Sequence, residues 1–173
     1  SANDISSAEG AVRIVGILSS SGFDPHRVDF EITETAMMYD FEQAKASIET
    51  LRAMGCGIAL DDFGTGFASL SQIHALPLTK IKIDRSFVTD IDETPASYKI
   101  VKSLLALSRD MGLDCVIEGV ETEAELATLK KLGGRLIQGY CYSKPMPETA
   151  VADFLEEPLS SEPAAPKKTR RKG

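Results

Sequence analysis

Four times along the chain an amphipathic stretch ends on a glycine and is followed by a short run rich in β-branched residues. "AVRIVGILSSSG" closes at Gly22, "FEQAKASIETLRAMG" at Gly55, "SYKIVKSLLALSRDMG" at Gly112 and "ETEAELATLKKLG" at Gly133. The apolar spacing predicts a helix in each, stopped by a glycine that accepts the left-handed conformation helices commonly end on. Strands are predicted in "RVDFEIT", "CGIALDD", "LDCVIEGV" and "RLIQGY", with "TKIKID" as a fifth after a short helical piece around Ala68 to Ala75. Thr94 and Pro95 read as an N-cap and first-turn pair, and Thr122 with Glu125 spells a capping box. Strict alternation of this kind limits the fold to a parallel α/β sheet with right-handed crossovers, either open and doubly wound or part of a (β/α)₈ barrel.

The strand ends separate those two. Nearly every strand finishes on a charged or amide residue: Glu31, Asp61 with Asp62, Lys82 with Asp84, Glu118, and Gln138. In a barrel such ends converge on one mouth, where barrel enzymes keep their chemistry, whereas an open sheet spreads them along an edge. Singly, each residue has an ordinary explanation. Asp62 could cap the next helix, Glu31 could face solvent on its strand, and Glu121 could be an acid favoured at a helix start. Together they crowd several negative charges into one place, at a cost that divalent cations relieve. Oxygen-only ligands point to magnesium, manganese or calcium.

Neighbouring Asp61 and Asp62 cannot both face the same side of a regular strand. Placing Asp62 beyond the strand end, where Gly64 and Gly66 let the backbone bend, would bring both carboxylates to a metal pair. Two ions about 3.5–4 Å apart are a common apparatus for in-line hydrolysis of a phosphodiester. Lys82 could then orient or deprotonate the attacking water, or stabilise the phosphorane-like charge.

Charge narrows the partners. The 173 residues carry 19 basic and 26 acidic side chains, but five of the basic ones lie in the closing "KKTRRKG", so the body without them is near −12. Such a body repels polyanions, which argues against nucleic-acid polymers, and any phosphate ligand needs metal ions between it and the protein. No apolar run approaches the roughly 20 residues that cross a bilayer, so no membrane is expected for the folded part. The start lacks a secretory pattern, and a cytoplasmic location is expected. Cys56, Cys115 and Cys141 read as buried free thiols rather than disulfide or zinc ligands. Residues 1–157 read as the folded part, and residues 158–173, rich in Pro, Ala, Ser and basic side chains, as a disordered tail.

The blocks "FEITET", "ALDDFGTGFASLSQIHALPLTKIKIDRSFV", "VIEGVET" and "IQGYCYSKPMP" resemble, in order and spacing, the signatures of the EAL domain, a bacterial cyclic di-GMP phosphodiesterase family. The resemblance covers about Ser1 to Leu155. It implies a modified TIM-type (β/α) barrel that opens cyclic di-GMP to linear pGpG with Mg2+ or Mn2+ at a two-metal site. Position by position, it makes Glu31 a metal ligand, Asp61 the acid shared by both metals, Asp62 a ligand of the second, and Glu118 a metal-site glutamate also discussed as the base. Lys82 matches the catalytic lysine, Glu121 a partner acid of Glu118, and Gln138 a water- or site-positioning amide. Thr33 and Glu34 match supports of the site and of the glycine-bearing loop with Gly64 and Gly66.

Two family blocks, Glu-Ala-Leu and Asn-x-Ser, do not occur, and five strands fall short of the eight of a barrel, which typically needs about 250 residues. An N-terminally truncated barrel is therefore expected, lacking two family metal ligands. Its open edges, around Val28 to Thr33 and Leu136 to Tyr140, predict pairing with another chain, as in a homodimer, or aggregation. An upstream sensory or diguanylate cyclase domain is a further expected partner. Smaller departures are Lys144, where the family usually has Arg, and Phe67-Ala68, where Tyr-Ser is frequent. The alternative is a truncated or degenerate relative that binds cyclic di-GMP without cleaving it or regulates by protein contact. A receiver-like doubly wound domain, which also gathers acids and a lysine beside a sheet, fits the motifs poorly.

Overall fold

The computed structural model describes residues 7–38, 40–66 and 69–156. The expected tail at residues 158–173 and the pair at residues 67 and 68 lie outside the described residues. In chain order the elements are α1 (Ala8–Ser21), β1 (Asp29–Thr33), α2 (Glu34–Met38), α3 (Phe41–Ala53), β2 (Gly57–Phe63), α4 (Leu70–His74), β3 (Lys80–Ile83), α5 (Pro95–Asp110), β4 (Asp114–Ile117), α6 (Glu123–Leu132), β5 (Leu136–Ile137) and α7 (Glu148–Glu156). One-turn 3-10 helices at Pro25–Arg27 and Arg85–Phe87 follow α1 and β3.

All neighbouring strands pair in parallel, in the order β1-β2-β3-β4-β5. A doubly wound sheet reverses its strand order partway along, whereas here each strand is laid beside the one before it. The sequential order is that of a TIM-type barrel wall and rules out the receiver-like arrangement. Among the described residues, β1 and β5 are the two edges.

Successive side chains of a strand face opposite ways, and the two faces differ sharply in chemistry. Ile32, Ile58, Leu60 and Ile81 pack with Ile48 and Leu51 of α3 in one buried cluster. Ile83 and Ile117 pack with Val101 and Leu105 of α5 and Leu129 of α6 in a second. Full burial of each such side chain contributes about 2–3 kcal/mol. The opposite face carries Asp29, Glu31, Lys80 and Lys82, and it is held by ion pairs, with Lys80 on Asp29 and Lys82 one step further up. Helices therefore cover one face and leave the other for polar chemistry.

The helix stops follow expectation with a refinement. Gly22 and Gly133 are left-handed caps, while α3 and α5 end on Met54 and Met111, with Gly55 and Gly112 one residue further on. The Thr122–Glu125 capping box forms. Thr94 precedes Pro95 as expected but makes no side-chain capping bond, so Pro95 alone marks that start. β5 is shorter than the run Arg135 to Tyr140. The chain turns after Ile137 and re-bonds to the preceding loop instead, with Val120 N–H donating to Gln138 O and Cys141 N–H to Val120 O. The helices α2 and α7 carry no strong sequence marker. Cys56 is buried, while Cys115 and Cys141 are half-covered free thiols, and burial pushes the Cys115 thiol up to about 11. No described helix is long and apolar enough to cross a membrane.

Candidate active site

Lys82, on the central strand β3, meets acids from three other strands. Its ammonium lies 2.8 Å from Glu31 Oε1 of β1, 3.1 Å from Asp61 Oδ1 of β2 and 2.8 Å from Glu118 Oε1 just past β4. The parallel register explains the convergence, because Lys82 is next to last in β3, Glu31 and Asp61 lie two residues before the ends of β1 and β2, and Glu118 directly follows β4. The lysine side chain is only 8 % exposed, against 55 % for Glu31, so the ammonium forms the floor and the acids the rim. Burial alone would push the lysine pKa down, but the hydrogen bonds to Glu118, Glu31 and Asp61 outweigh it and raise it above the ordinary lysine range. Lys82 is thus a fixed cation.

Asp61 and Asp62 solve their crowding inside the strand rather than beyond it. Leu60 faces Ile81 and Phe63 faces Ile83, so β2 spends one more residue than β3 across this interval, and the register shifts there. Asp62 takes the left-handed conformation, φ 56°, and Asp61 Oδ1 accepts the Asp62 N–H at 3.1 Å. The expected bend beyond the strand end is therefore corrected to a β-bulge, a feature that re-aims side chains next to active sites. Asp62 stays exposed and makes no ion pair with Lys82. Burial, then the charges of Asp61 and Asp84, push its carboxyl above the ordinary range against the opposing pull of Lys82.

Glu34, 4 % exposed, steadies the segment that follows β2. Its Oε1 accepts the Gly64 N–H at 2.9 Å, and a Cβ at Gly66 would overlap its carboxylate. Gly64 has φ 94°, so the segment needs its glycines for the close approach to Glu34 and for the turn. Thr33 Oγ1 accepts the Ala36 N–H at 3.3 Å and starts the short helix α2 that carries Glu34. Glu121 and Gln138 stand beside the cluster rather than in it, lining with Asp84, Arg85, Glu118 and Tyr140 a cavity of about 230 Å3. Arg85 and Tyr140 were not anticipated, since Arg85 follows its strand run and Tyr140, the last residue of the expected run, is neither charged nor an amide. Lys144 lies over the Tyr140 ring at 5.6 Å.

Among the described residues no three Asp, Glu, His or Cys side chains close on one ion-sized point, because Glu31, Asp61 and Glu118 surround the ammonium. The donor chemistry nevertheless fits a hard divalent cation. Three carboxylates against one ammonium leave an excess of two negative charges, Asp62 adds another, and no described His or Cys joins them.

Acids and a lysine gathered towards the C-terminal side of a parallel sheet of sequential strands match the place where TIM-type barrels keep their functional residues. Residues 1–145 match the family model of the EAL domain, and the chain belongs to that family. It is 38 % identical over 144 residues to the cyclic di-GMP phosphodiesterase RocR of Pseudomonas aeruginosa, a match covering 83 % of this chain and 37 % of RocR. Among solved structures, the c-di-GMP complex of the PaMucR phosphodiesterase superposes with a TM-score of 0.81 at 36 % identity, covering 87 % of this chain and 61 % of that one. The manganese and cyclic di-GMP complex of Klebsiella pneumoniae BlrP1 gives 0.74 at 34 % identity, covering 80 % and 36 %. The chain thus spans less than two thirds of each of these relatives.

Proposed function

We propose that the site hydrolyses cyclic di-GMP to linear pGpG with Mg2+ or Mn2+. The observation that carries this reading is the convergence of Glu31, Asp61 and Glu118 on the Lys82 ammonium in a member of a family with solved cyclic di-GMP complexes. Glu31, Asp61, Asp62 and Glu118 are the residues that would hold the ions. Bound there, divalent ions supply a water activated for attack and neutralise charge on the phosphate. In the reaction one P–O bond forms to that water and one ester P–O bond breaks, and the freed hydroxyl takes a proton.

Lys82, held as an ammonium, suits orientation of the water and stabilisation of negative charge on phosphorus better than proton abstraction. Glu121 and Gln138, on the flank of the cavity, position the water and the leaving side. Thr33 and Glu34 keep the Gly64–Gly66 segment where Asp61 and Asp62 emerge. The acidic body makes the cations necessary for an anionic substrate to approach.

Incubating the chain with cyclic di-GMP and manganese is expected to yield linear product, and Asp61→Asn should lower the rate by at least about 100-fold. Full activity in that variant would show the metal assignment to be wrong. Cyclic di-GMP retained without any turnover in the parent chain would favour the non-catalytic binder.

A further inference from the structure

Glu125 looks at first like an ordinary helix cap. Thr122 Oγ1 accepts the Glu125 N–H at 3.2 Å, and Glu125 Oε2 accepts the Thr122 N–H at 3.0 Å. Two further bonds exceed what a cap requires. The same Oε2 accepts the Glu121 N–H at 3.0 Å, and Oε1 accepts the N–H of Asp90, which belongs to the segment between β3 and α5, at 3.1 Å. The side chain is 5 % exposed, so these are bonds made out of water's reach. Asp90 itself is held in the left-handed conformation, φ 55°, one that aspartate adopts more readily than most residues other than glycine.

The two segments joined in this way leave adjacent strands. One follows Lys82 of β3, and the other begins at Glu118 and carries Glu121. A single buried carboxylate therefore sets the spacing between the loop behind the cation and the loop that carries its partner Glu118 and the neighbouring Glu121. Burial would push the Glu125 carboxyl up, but the N–H groups of Glu121, Thr122 and Asp90 outweigh that and hold it below the ordinary range. It is ionised at neutral pH, when such bonds are strongest.

We infer that Glu125 is a positioning residue, a clamp between the 84–94 and 118–122 segments that fixes Glu118 and Glu121 for the reaction. The inference rests on the phosphodiesterase reading of the site. Glu125 touches neither Lys82 nor the rim acids, and its effect runs through the backbone of Glu121 and Asp90.

The test compares Glu125→Ala, Glu125→Gln and Thr122→Ala in three measurements: amide hydrogen exchange, Mn2+ affinity, and hydrolysis of cyclic di-GMP. Glu125→Ala should speed exchange at Asp90, Glu121 and Thr122 together. It should also cut kcat and Mn2+ affinity by about 10- to 100-fold, as losses among groups that orient metal ligands commonly do, with KM changed less than about threefold. Glu125→Gln keeps one acceptor oxygen, so exchange at Asp90 should rise and kcat should fall less than in the alanine variant. Thr122→Ala removes the cap but not the link to Asp90, so it should lower stability while leaving kcat and Mn2+ affinity near the parent values. Parent-like Mn2+ affinity and parent-like exchange at Asp90 in both Glu125 variants would overturn the clamp. A parent chain that binds Mn2+ but shows no turnover would instead defeat the phosphodiesterase reading, and the exchange and affinity data would still decide the clamp. If the alanine variant does not fold, the glutamine variant decides by its Asp90 exchange, with unchanged exchange counting against the proposal.

Discussion

Replacing Lys82 by methionine is expected to lower stability by about 3 kcal/mol and the hydrolytic rate by about 10²- to 10³-fold. The size of the first effect follows from what stays behind. Three carboxylates gathered on one buried ammonium lose their counter-charge, and removing one partner of a buried ionic group typically costs about 3–5 kcal/mol. The exposure of Glu31 places the value at the lower end. The pH dependence has a definite sign. The folded pKa of Lys82 is raised, so its contribution is fully present below the unfolded lysine value of about 10.4 and declines only as pH rises through the folded one. The deficit of Lys82→Met should therefore be the same at pH 7 and pH 9. Mn2+ should restore the variant more than it stabilises the parent, because the cation binds a site left more negative. Urea unfolding with and without chelator checks both points, and an unchanged midpoint in chelator would show that the ammonium does not hold the acids together.

Gly139→Ala should be nearly as damaging, for a steric reason. A Cβ there would overlap the backbone N and O of Val120, and neither atom can withdraw freely. Val120 N–H donates to Gln138 O at 3.3 Å, and Val120 O accepts from Cys141 at 3.0 Å. Forced overpacking of this sort costs about 1–3 kcal/mol, and a clash against bonded backbone belongs near the top of that range. The two loops pushed apart are those bearing Glu121 and Gln138, so the rate should fall with the unfolding midpoint. Gly16→Ala is the matching control. Gly16 lies inside α1 with nothing near its missing Cβ, and alanine there should stabilise the helix by about 0.5–1 kcal/mol. Thermal or urea midpoints moving in opposite directions for the two variants would bear out the contrast, and equal shifts would refute it.

How much of this was legible before the structure depended on how local each signal was. Helix stops were readable because Gly22 and Gly133 serve their own helices. Glu31, Asp61, Lys82 and Glu118 were readable because each lies in the C-terminal half of its expected strand run, and a parallel sheet stacks those halves at one end. Alternation alone left barrel and doubly wound sheet both open, since the two differ in lateral strand order, which no single segment encodes. The Asp90–Glu125 bond was invisible for the same reason. Its two ends belong to different loops, and the capping pattern around Thr122 accounted for Glu125 completely. The bulge at Asp62 went unread because aspartate tolerates the left-handed region without any neighbouring glycine to advertise it.

That extra residue in β2 has a consequence for how the chain tolerates changes in length. Leu60 and Phe63 both anchor in the same apolar layer although an odd number of steps separates them, which an unbroken strand forbids. The two aspartates are a pinned insert, fastened at each end by an apolar side chain. Deleting either one would leave an even number of steps between the anchors, so a regular strand would keep Leu60 and Phe63 in the apolar layer with a single aspartate on the opposite, acidic face. A one-codon deletion here is thus expected to spare the fold while removing the second carboxylate, so that length in this stretch serves the rim and the apolar anchors serve the fold.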